Sequence, residues 1–230
     1  MVNDDLNVQR TQYTQSGTIG GSEFVWLKGC YTQRVVNGAT ILNYPNAGGY
    51  VPSASLAQFV MKGHGNDTQN ICNIAYAFKV QAVAGATDTD VKIEKNKYAF
   101  IPQVGMIVGK CPSALSETVT GVTMTNVVEG DVFYTVTLSA TLGALTTDDF
   151  LVEVTAAGAD KSLVITHPNT FIGEEMYFGM AGISGITMGD DPYSTPLYVH
   201  NTAYTSRMPK YPDIFLSDLN KSKIEGLIEI

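Results

Sequence analysis

Residues 135–154, TVTLSATLGALTTDDFLVEV, carry the pattern that decides the fold class. Together with residues 132–134, they begin with a run in which apolar and polar side chains alternate. Such a period of two is typical of a half-buried β-strand, because successive side chains point to opposite faces. A glycine and a short polar loop end this run, and residues 150–154 resume the alternation. One face holds Val132, Tyr134, Val136, Leu138 and Ala140, and later Phe150, Val152 and Val154, whereas the other face of the first run holds Phe133, Thr135, Thr137 and Ser139.

Strand signals of the same kind recur along the chain, at a spacing of roughly 8–14 residues, with turn residues between them. In residues 90–94, Val91 and Ile93 lie on one face and charged side chains on the other. Further strand-like runs lie at 23–28, 71–85, 98–110 and 117–127. This spacing predicts a mainly β protein: a small β-barrel or sandwich core with extended N- and C-terminal segments and little helix.

Two short helical segments are expected within this β-rich chain. One is residues 53–61, SASLAQFVM, with Ser53 as the N-cap. The other lies in residues 217–230, as a short helix or as a helical turn followed by a strand. We divide the chain into a flexible N-terminal arm (1–22), a strand-and-loop region that packs on the core (23–74), a β-barrel domain (75–155), and β-strands with an extended C-terminal wrapping segment (156–230).

The composition narrows the class of partner. The 230 residues are 44% hydrophobic and 16% charged, with a net charge of −8. An acidic chain is repelled by phosphates, which disfavours nucleic acid as a partner. No apolar run reaches the roughly 20 residues that cross a bilayer, and MVNDDLNVQR lacks the features of a signal peptide. We expect a soluble protein made in a cytoplasm, with no membrane partner.

Residue types that carry chemistry are few and scattered. His64, His167 and His200 lack the spacing of a zinc-ligand pair. GISGI at 182–186 lacks the last glycine of a nucleophile elbow. Cys30, Cys72 and Cys111 are far apart and fit neither a disulfide framework nor a zinc site. We therefore predict a protein that is not an enzyme and that has no cofactor. A calcium site stays open as an alternative, built from Asp88, Asp90, Asp190 or Asp191.

Aromatic residues supply the candidates for an interface. Tyrosine brings apolar area to an interface at low entropic cost, and the only tryptophan follows the N-terminal arm. The candidate interface residues are Trp26, Tyr193, Tyr198, Tyr204 and Tyr211. The alternative, equally weighted, is that the tyrosines fill the core or cap the ends of strands.

The middle of the chain resembles a known family. The runs VQAVAGATDTDVKIEKNKYAFIPQVGMIVGK (80–110) and VTGVTMTNVVEGDVFYTVTLSATLGALTTDDFLVEV (119–154) resemble the small β-barrel of head-decoration and head-fibre proteins of tailed bacteriophages. The later SRMP (206–209) is also similar to such proteins. The resemblance implies a virion structural protein, trimeric, bound to the major capsid protein lattice and assembled in the cytoplasm of a bacterial host. It also implies that 135–154 is a barrel hairpin, with its Thr/Ser face either solvated or docked on a neighbour.

Other functions remain as alternatives. One is a glycan- or surface-binding β-module of the adhesin type, to which loop Tyr and Asn residues are suited. Another is an enzyme whose site residues are scattered along the chain. A major capsid protein is disfavoured, since the sequence shows no long amphipathic helix of the kind that supports such shells.

Overall fold

A computed structural model describes residues 33–34, 39–43, 49–61, 70–177, 194–195, 197–200, 203–204, 207–221 and 227–228. The chain is mainly β, which confirms the predicted fold class. Within the described residues, the strands are β1 Gln33–Arg34, β2 Ala39–Ile41, β3 Tyr50–Val51, β4 Leu56–Met61, β5 Asn70–Ile74, β6 Ala77–Lys79, β7 Asp90–Glu94, β8 Ile107–Lys110, β9 Val119–Glu129, β10 Phe133–Leu138, β11 Phe150–Glu153, β12 Gly158–Lys161, β13 Thr170–Ile172, β14 Met176–Tyr177, β15 Ser194–Thr195, β16 Leu197–His200, β17 Ala203–Tyr204 and β18 Leu227–Ile228, and the helix is α1 Asp213–Lys221.

One sheet, here called the base sheet, combines strands from distant parts of the chain. Its strand order is β1-β16-β13-β4-β5-β2-β15. The pairs are antiparallel except for β2 and β5, which run parallel with Thr40 opposite Ile71. The chain leaves this sheet after β5 and returns to it at β13, on the far side of β4. Two further pairs, β3–β14 and β17–β18, are separate two-stranded sheets.

The other large sheet, here called the barrel sheet, is built from the continuous segment 77–161. Its order is β6-β11-β8-β9-β10-β7, and β12 pairs with β9 beside this path. The sheet curls until its two edge strands meet, at a bridge between Val80 and Ile93. There the backbone NH of Gln81 donates to the carbonyl of Lys92 at 2.7 Å. The result is a partly closed barrel, in which curling removes most of the exposed sheet edge.

The two strands of residues 135–154 are not a hairpin, so that expectation was wrong. In the barrel sheet, β8 and β9 lie between β10 and β11. β10 instead forms its hairpin with β9, and β7 pairs on its other side. The loop that joins β10 to β11 is held by a bridge between Leu145 and Ala84. Alternation along a strand shows which face is buried, but it carries no information about the neighbouring strand.

The helical predictions met different outcomes. Residues 53–61 are not a helix: β4 covers 56–61 and lies between β13 and β5 in the base sheet. Leu56 and Ala57 are fully buried there, so packing within a sheet overrides the weak local helix signal. Near the C-terminus, the chain forms a helix followed by a strand, α1 and then β18, as one of the two expectations for residues 217–230 held. The helix begins earlier than predicted, at Asp213, directly after Pro212.

The core is one continuous cluster of buried apolar side chains that runs through both sheets. The predicted inward face of β10 is confirmed for Tyr134, Val136 and Leu138, which are all buried. Val132 and Ala140, at the two ends of the same run, are exposed instead, since both lie beyond the strand. Among the described residues, no helix is long and apolar enough to cross a membrane.

The predicted regions can be set beside these sheets. The barrel sheet spans 77–161, whereas the sequence predicts a barrel domain over 75–155, so β12 lies outside the predicted range. The predicted N-terminal arm, 1–22, lies outside the described residues.

The pairing of β12 with β9 depends on a residue without a side chain. Gly121 in β9 lies opposite Gly158 in β12. A Cβ atom at position 121 would overlap the carbonyl oxygen of Ala156. Since that oxygen belongs to the backbone, it cannot move away as a flexible side chain would.

We therefore expect Gly121→Ala to destabilise the protein by about 1–3 kcal/mol, the usual cost of overpacking. Chemical denaturation followed by circular dichroism would measure the change. Asn126→Ala, at an exposed position in the same strand, is the matched control and should stay within about 0.5 kcal/mol of the parent. Equal stability of the Gly121→Ala and Asn126→Ala variants would contradict the close approach of β9 and β12.

Candidate functional site

The base sheet, the barrel sheet and the C-terminal segment meet at a cluster of aromatic side chains, here called the junction. Tyr211, which precedes α1, is at its centre. Its Oη accepts a hydrogen bond of 2.8 Å from the backbone NH of Leu56 in β4. Its ring lies against Phe100 at a centroid distance of 6.3 Å and against Phe215 of α1 at 6.1 Å. Burial raises the pKa of the Tyr211 hydroxyl far above its ordinary value, so this group acts as a neutral hydrogen-bonding partner.

The barrel side of the junction continues this aromatic packing. The ring of Tyr76, just before β6, is tilted against Phe100 at 4.9 Å and stacked near Phe78 at 6.4 Å. Tilted and offset pairs at such distances contribute about 0.5–1.5 kcal/mol beyond the area that they bury. The C-terminal segment is also tied to the barrel by an ion pair of 2.7 Å between Lys210 and Glu94 of β7.

Polar groups at the junction form a second link between the sheets. Asn43 follows β2 and exchanges two hydrogen bonds with the backbone of Ile74: the Ile74 NH donates to Oδ1 at 2.6 Å, and Nδ2 donates to the Ile74 carbonyl at 2.9 Å. Nδ2 also donates to Oε2 of Glu153, at the end of β11, at 2.6 Å. Burial raises the pKa of Glu153 to about 7, although the hydrogen bond from Asn43 opposes this shift.

The predicted interface residues are placed as follows. Tyr198 in β16 is 1% exposed and Tyr211 is 6% exposed. Both therefore lie in the core of this chain, as the alternative interpretation held, and neither ring is available on the surface. Trp26 and Tyr193 lie outside the described residues, and Tyr204 is described only as a backbone position in β17.

The barrel instead presents a different surface, the outward side of β7, β10 and β9, here called the threonine face. Thr135 of β10 lies between Lys92 of β7 and Val128 of β9. In the next row, Thr137 lies between Asp90 and Asn126. These residues belong to adjacent antiparallel strands, so their side chains share one surface.

Some polar groups of the threonine face are bonded to one another. The Thr137 hydroxyl donates to Oδ1 of Asp90 at 2.7 Å, and the Thr125 hydroxyl donates to the Thr137 carbonyl at 3.0 Å. Lys92 Nζ lies 4.8 Å from the centroid of the Phe133 ring. A surface with its polar groups already paired loses little hydrogen bonding when a partner covers it.

Exposed valines lie at the end of this face, around the turn from β9 to β10. Val128 is 54% exposed and Val132 is 66% exposed. Lys95 holds the same turn, through an ion pair of 2.7 Å with Glu129 and a hydrogen bond of 2.9 Å to the Gly130 carbonyl. The arrangement can bury apolar area against a flat partner from a backbone that is already ordered, which lowers the entropic cost of binding.

A shallow groove of about 320 Å³ lies elsewhere on the barrel, lined in part by Lys110, Cys111, Val119 and Leu142. The side chains with reactive groups in this groove, Cys111 and Lys110, have low reactivity. Burial raises the pKa of the Cys111 thiol to about 12, with the charge of Asp149 as a smaller cause, so the nucleophilic thiolate is scarce. Lys110 is engaged by Asp149 at 3.0 Å.

The carboxylates proposed for a calcium site have other partners where the structure describes them. Asp88 Oδ2 accepts the backbone NH of Gly85 at 2.7 Å, and Asp90 is bonded to Thr137. Asp190 and Asp191 lie outside the described residues. Within the described part of the chain, no three His, Cys, Asp or Glu side chains are grouped to hold a metal ion.

Comparison with known proteins finds no relative of this chain: no family model, no curated protein and no solved structure matches it.

The junction yields a prediction for stability. Tyr211→Phe keeps the ring but removes the oxygen that accepts the Leu56 NH, leaving a buried donor without a partner. We expect a loss of about 1–3 kcal/mol in the free energy of unfolding, measured by chemical denaturation. Ser217→Ala removes an exposed hydroxyl on α1 and is the matched control, with an expected change near zero. If both variants unfold alike, Tyr211 does not join α1 to the base sheet.

The cysteines yield a prediction for reactivity. Burial raises the pKa of Cys72 to about 12, as it does for Cys111. We expect both residues to react with iodoacetamide at pH 8 at least about tenfold more slowly in the folded protein than in denaturant, because each unit of pKa lowers the thiolate fraction tenfold. Peptide mapping by mass spectrometry assigns each site. Labelling of either residue at the rate of the denatured chain would show that its thiol is not protected.

Proposed function

We propose that this chain is a structural protein of a tailed-bacteriophage virion, which decorates the capsid surface or forms the base of a head fibre. It acts by binding protein and carries out no reaction. The observation that carries the proposal is the threonine face with its exposed valines, on a barrel built from one continuous segment. The resemblance of residues 80–110 and 119–154 to the barrels of such phage proteins supports the same function.

The physical demands on a decoration protein agree with this surface. A shell offers many copies of one flat site, and a protein that binds it as an oligomer gains avidity from modest contacts. The threonine face supplies threonine hydroxyls and the exposed Val128, and its charged groups already have contacts within the face: Asp90 with the Thr137 hydroxyl and Lys92 with the Phe133 ring. We propose the major capsid protein lattice as the partner, a homotrimer as the binding form, and the virion as the location.

A glycan-binding module is the second candidate, but the threonine face is less suited to it. Sugar rings often pack on an open aromatic face. The described aromatic ring of this surface, Phe133, is covered by Lys92 Nζ at 4.8 Å from its centroid. The hydroxyls of Thr125 and Thr137 are likewise engaged with the neighbouring strands.

Co-sedimentation with shells of the major capsid protein from the same genome tests the proposal. The parent protein should sediment with the shells. We expect Val128→Asp to weaken the apparent affinity by at least about tenfold, since it places a charge in the contact. Val83→Asp is the matched control, because Val83 is a valine that is 74% exposed outside the threonine face, and its binding should match the parent.

Two outcomes would count against the proposal. Absence of the parent protein from the shell pellet would remove the capsid as partner. Equal binding by the two aspartate variants would remove the threonine face as the contact. Light scattering on the free protein would test the trimer separately, through a mass three times that of the 24.7 kDa chain.

A further inference from the structure

A second exposed surface lies on the base sheet, across β4, β5 and β2. Val60 of β4 lies opposite Ile71 of β5, and Ile71 also lies opposite Thr40 of β2. Side chains in one such row share one side of the sheet. Val60 is 44% exposed, and Leu42, which follows β2 on the same side, is 53% exposed. This surface, here called the neutral face, consists of Thr40, Leu42, Gln58, Val60, Ile71 and Asn73.

The neutral face points away from the core. Successive side chains of a strand point to opposite sides of the sheet. Ile41, Cys72 and Ile74, which alternate with the neutral face along β2 and β5, are buried. All six residues of the neutral face are half-buried or exposed. At these three strands the base sheet therefore has its core on one side and the neutral face on the other.

The neutral face carries no charged side chain. The strands β2, β4 and β5 contain no Asp, Glu, Lys, Arg or His. Elsewhere in the base sheet, Arg34 and His200 belong to β1 and β16, which lie beyond β13 in the strand order. The threonine face differs, because Asp90 and Lys92 lie in it. This acidic chain thus has two exposed sheet surfaces, one with charges and one without.

The side-chain carbonyl of the neutral face is already satisfied. Gln58 Oε1 accepts the backbone NH of Thr166 at 2.9 Å and that of His167 at 3.1 Å. Covering Gln58 therefore leaves this oxygen with its donors, which keeps the desolvation cost low. The apolar neighbours in the next row, Val60 and Ile71, gain free energy when they are removed from water.

The absence of charge favours a second copy of this chain as the partner. Near a rotation axis of a homo-oligomer, each side chain meets its own copies. A charged residue there would face a like charge, which costs free energy. The chain as a whole has a net charge of −8, so its copies repel one another except where a neutral surface makes the contact. At an axis the threonine face would bring Asp90 and Lys92 towards their own copies, whereas the neutral face brings no such repulsion.

We propose that the neutral face is the contact between copies of this chain, with the neutral faces of three subunits turned towards a threefold axis. This inference rests on the homotrimer named in the proposed function and assigns the surface that forms it. The neutral face and the threonine face belong to different sheets. One surface thus holds the trimer together while the other binds the shell.

Light scattering on two aspartate variants tests this assignment. The parent protein should have a mass three times that of the 24.7 kDa chain. Val60→Asp places three like charges at the axis, so we expect it to need at least about a tenfold higher concentration to assemble. Val128→Asp, on the threonine face, is the matched control and should keep the mass of the parent. Circular dichroism shows whether each variant is folded.

Hydroxyl-radical oxidation of the parent protein is a second measurement, which needs no variant to fold. It compares two residues of the same type: Val60 is 44% exposed and Val83 is 74% exposed in the single chain. In the assembled protein we expect Val60 to be oxidised at least about fivefold less than Val83, because the centre of a contact excludes water. Peptide mapping by mass spectrometry gives the two yields.

Three results would overturn the inference: a parent protein with the mass of one chain, a Val60→Asp protein that assembles like the parent, or oxidation of Val60 in proportion to its exposure in the single chain. These results are separate from co-sedimentation with shells. A trimer that does not bind shells removes the capsid as partner and keeps the neutral face as the subunit contact. A monomer that binds shells does the reverse.

Discussion

The hydrogen bond from the Leu56 NH to the Tyr211 hydroxyl is the interaction on which the arrangement of the chain depends. It fixes the C-terminal segment to the interior strand β4 of the base sheet. The same ring packs against Phe100 of the barrel segment and Phe215 of α1. One tyrosine thus joins three parts that are far apart in sequence. Its hydroxyl satisfies a buried backbone donor, which would otherwise cost free energy.

The two sheets that meet at this tyrosine differ in where their strands come from along the chain. The barrel sheet curls, so most of its backbone groups are paired within one segment. The base sheet needs strands from before and after that segment to complete its pairing. The barrel can therefore expose an outer face of threonines and valines while its inner face, with Val136 and Leu151 fully buried, belongs to the common core. Because the inner face of the barrel supplies its share of the core, the outer face stays available for contact with a partner.

The sequence predicted the parts of this structure that depend on local pattern. The alternation in β7 and β10 identified Val91, Ile93 and Val136 as core residues. Burial of one face of a strand requires an apolar side chain at every second residue, and this pattern can be read from the sequence. It did not identify the neighbours of β10 and β11, since strand order depends on contacts between distant residues. The error at 53–61 has the same origin, because burial of β4 in the base sheet outweighs its local preference.

The candidate functional surfaces were harder to predict from the sequence than the strands were. Tyrosine content favours interfaces and cores alike, and Tyr198 and Tyr211 lie in the core. The apolar end of the threonine face gave a misleading signal, because Val132 continues the alternation of β10 but lies outside the strand. Asn43 and Glu153 gave no signal, since an amide and a carboxyl separated by 110 residues form no motif.

The insertion of the barrel between β5 and β13 also sets an order of events during synthesis. All strands of the barrel sheet are available once residue 161 has left the ribosome, and their pairings are short-range by comparison. The base sheet must wait for β13 and β16, which supply the partners of β4 and β1. Local pairings form faster than distant ones, and chains fold from their N-terminal side as they emerge. The strands β2, β5 and β4 can pair with one another before that point. The barrel is thus able to fold before the base sheet is complete and act as a scaffold, while β1 and one edge each of β2 and β4 stay unpaired until the last quarter of the chain arrives.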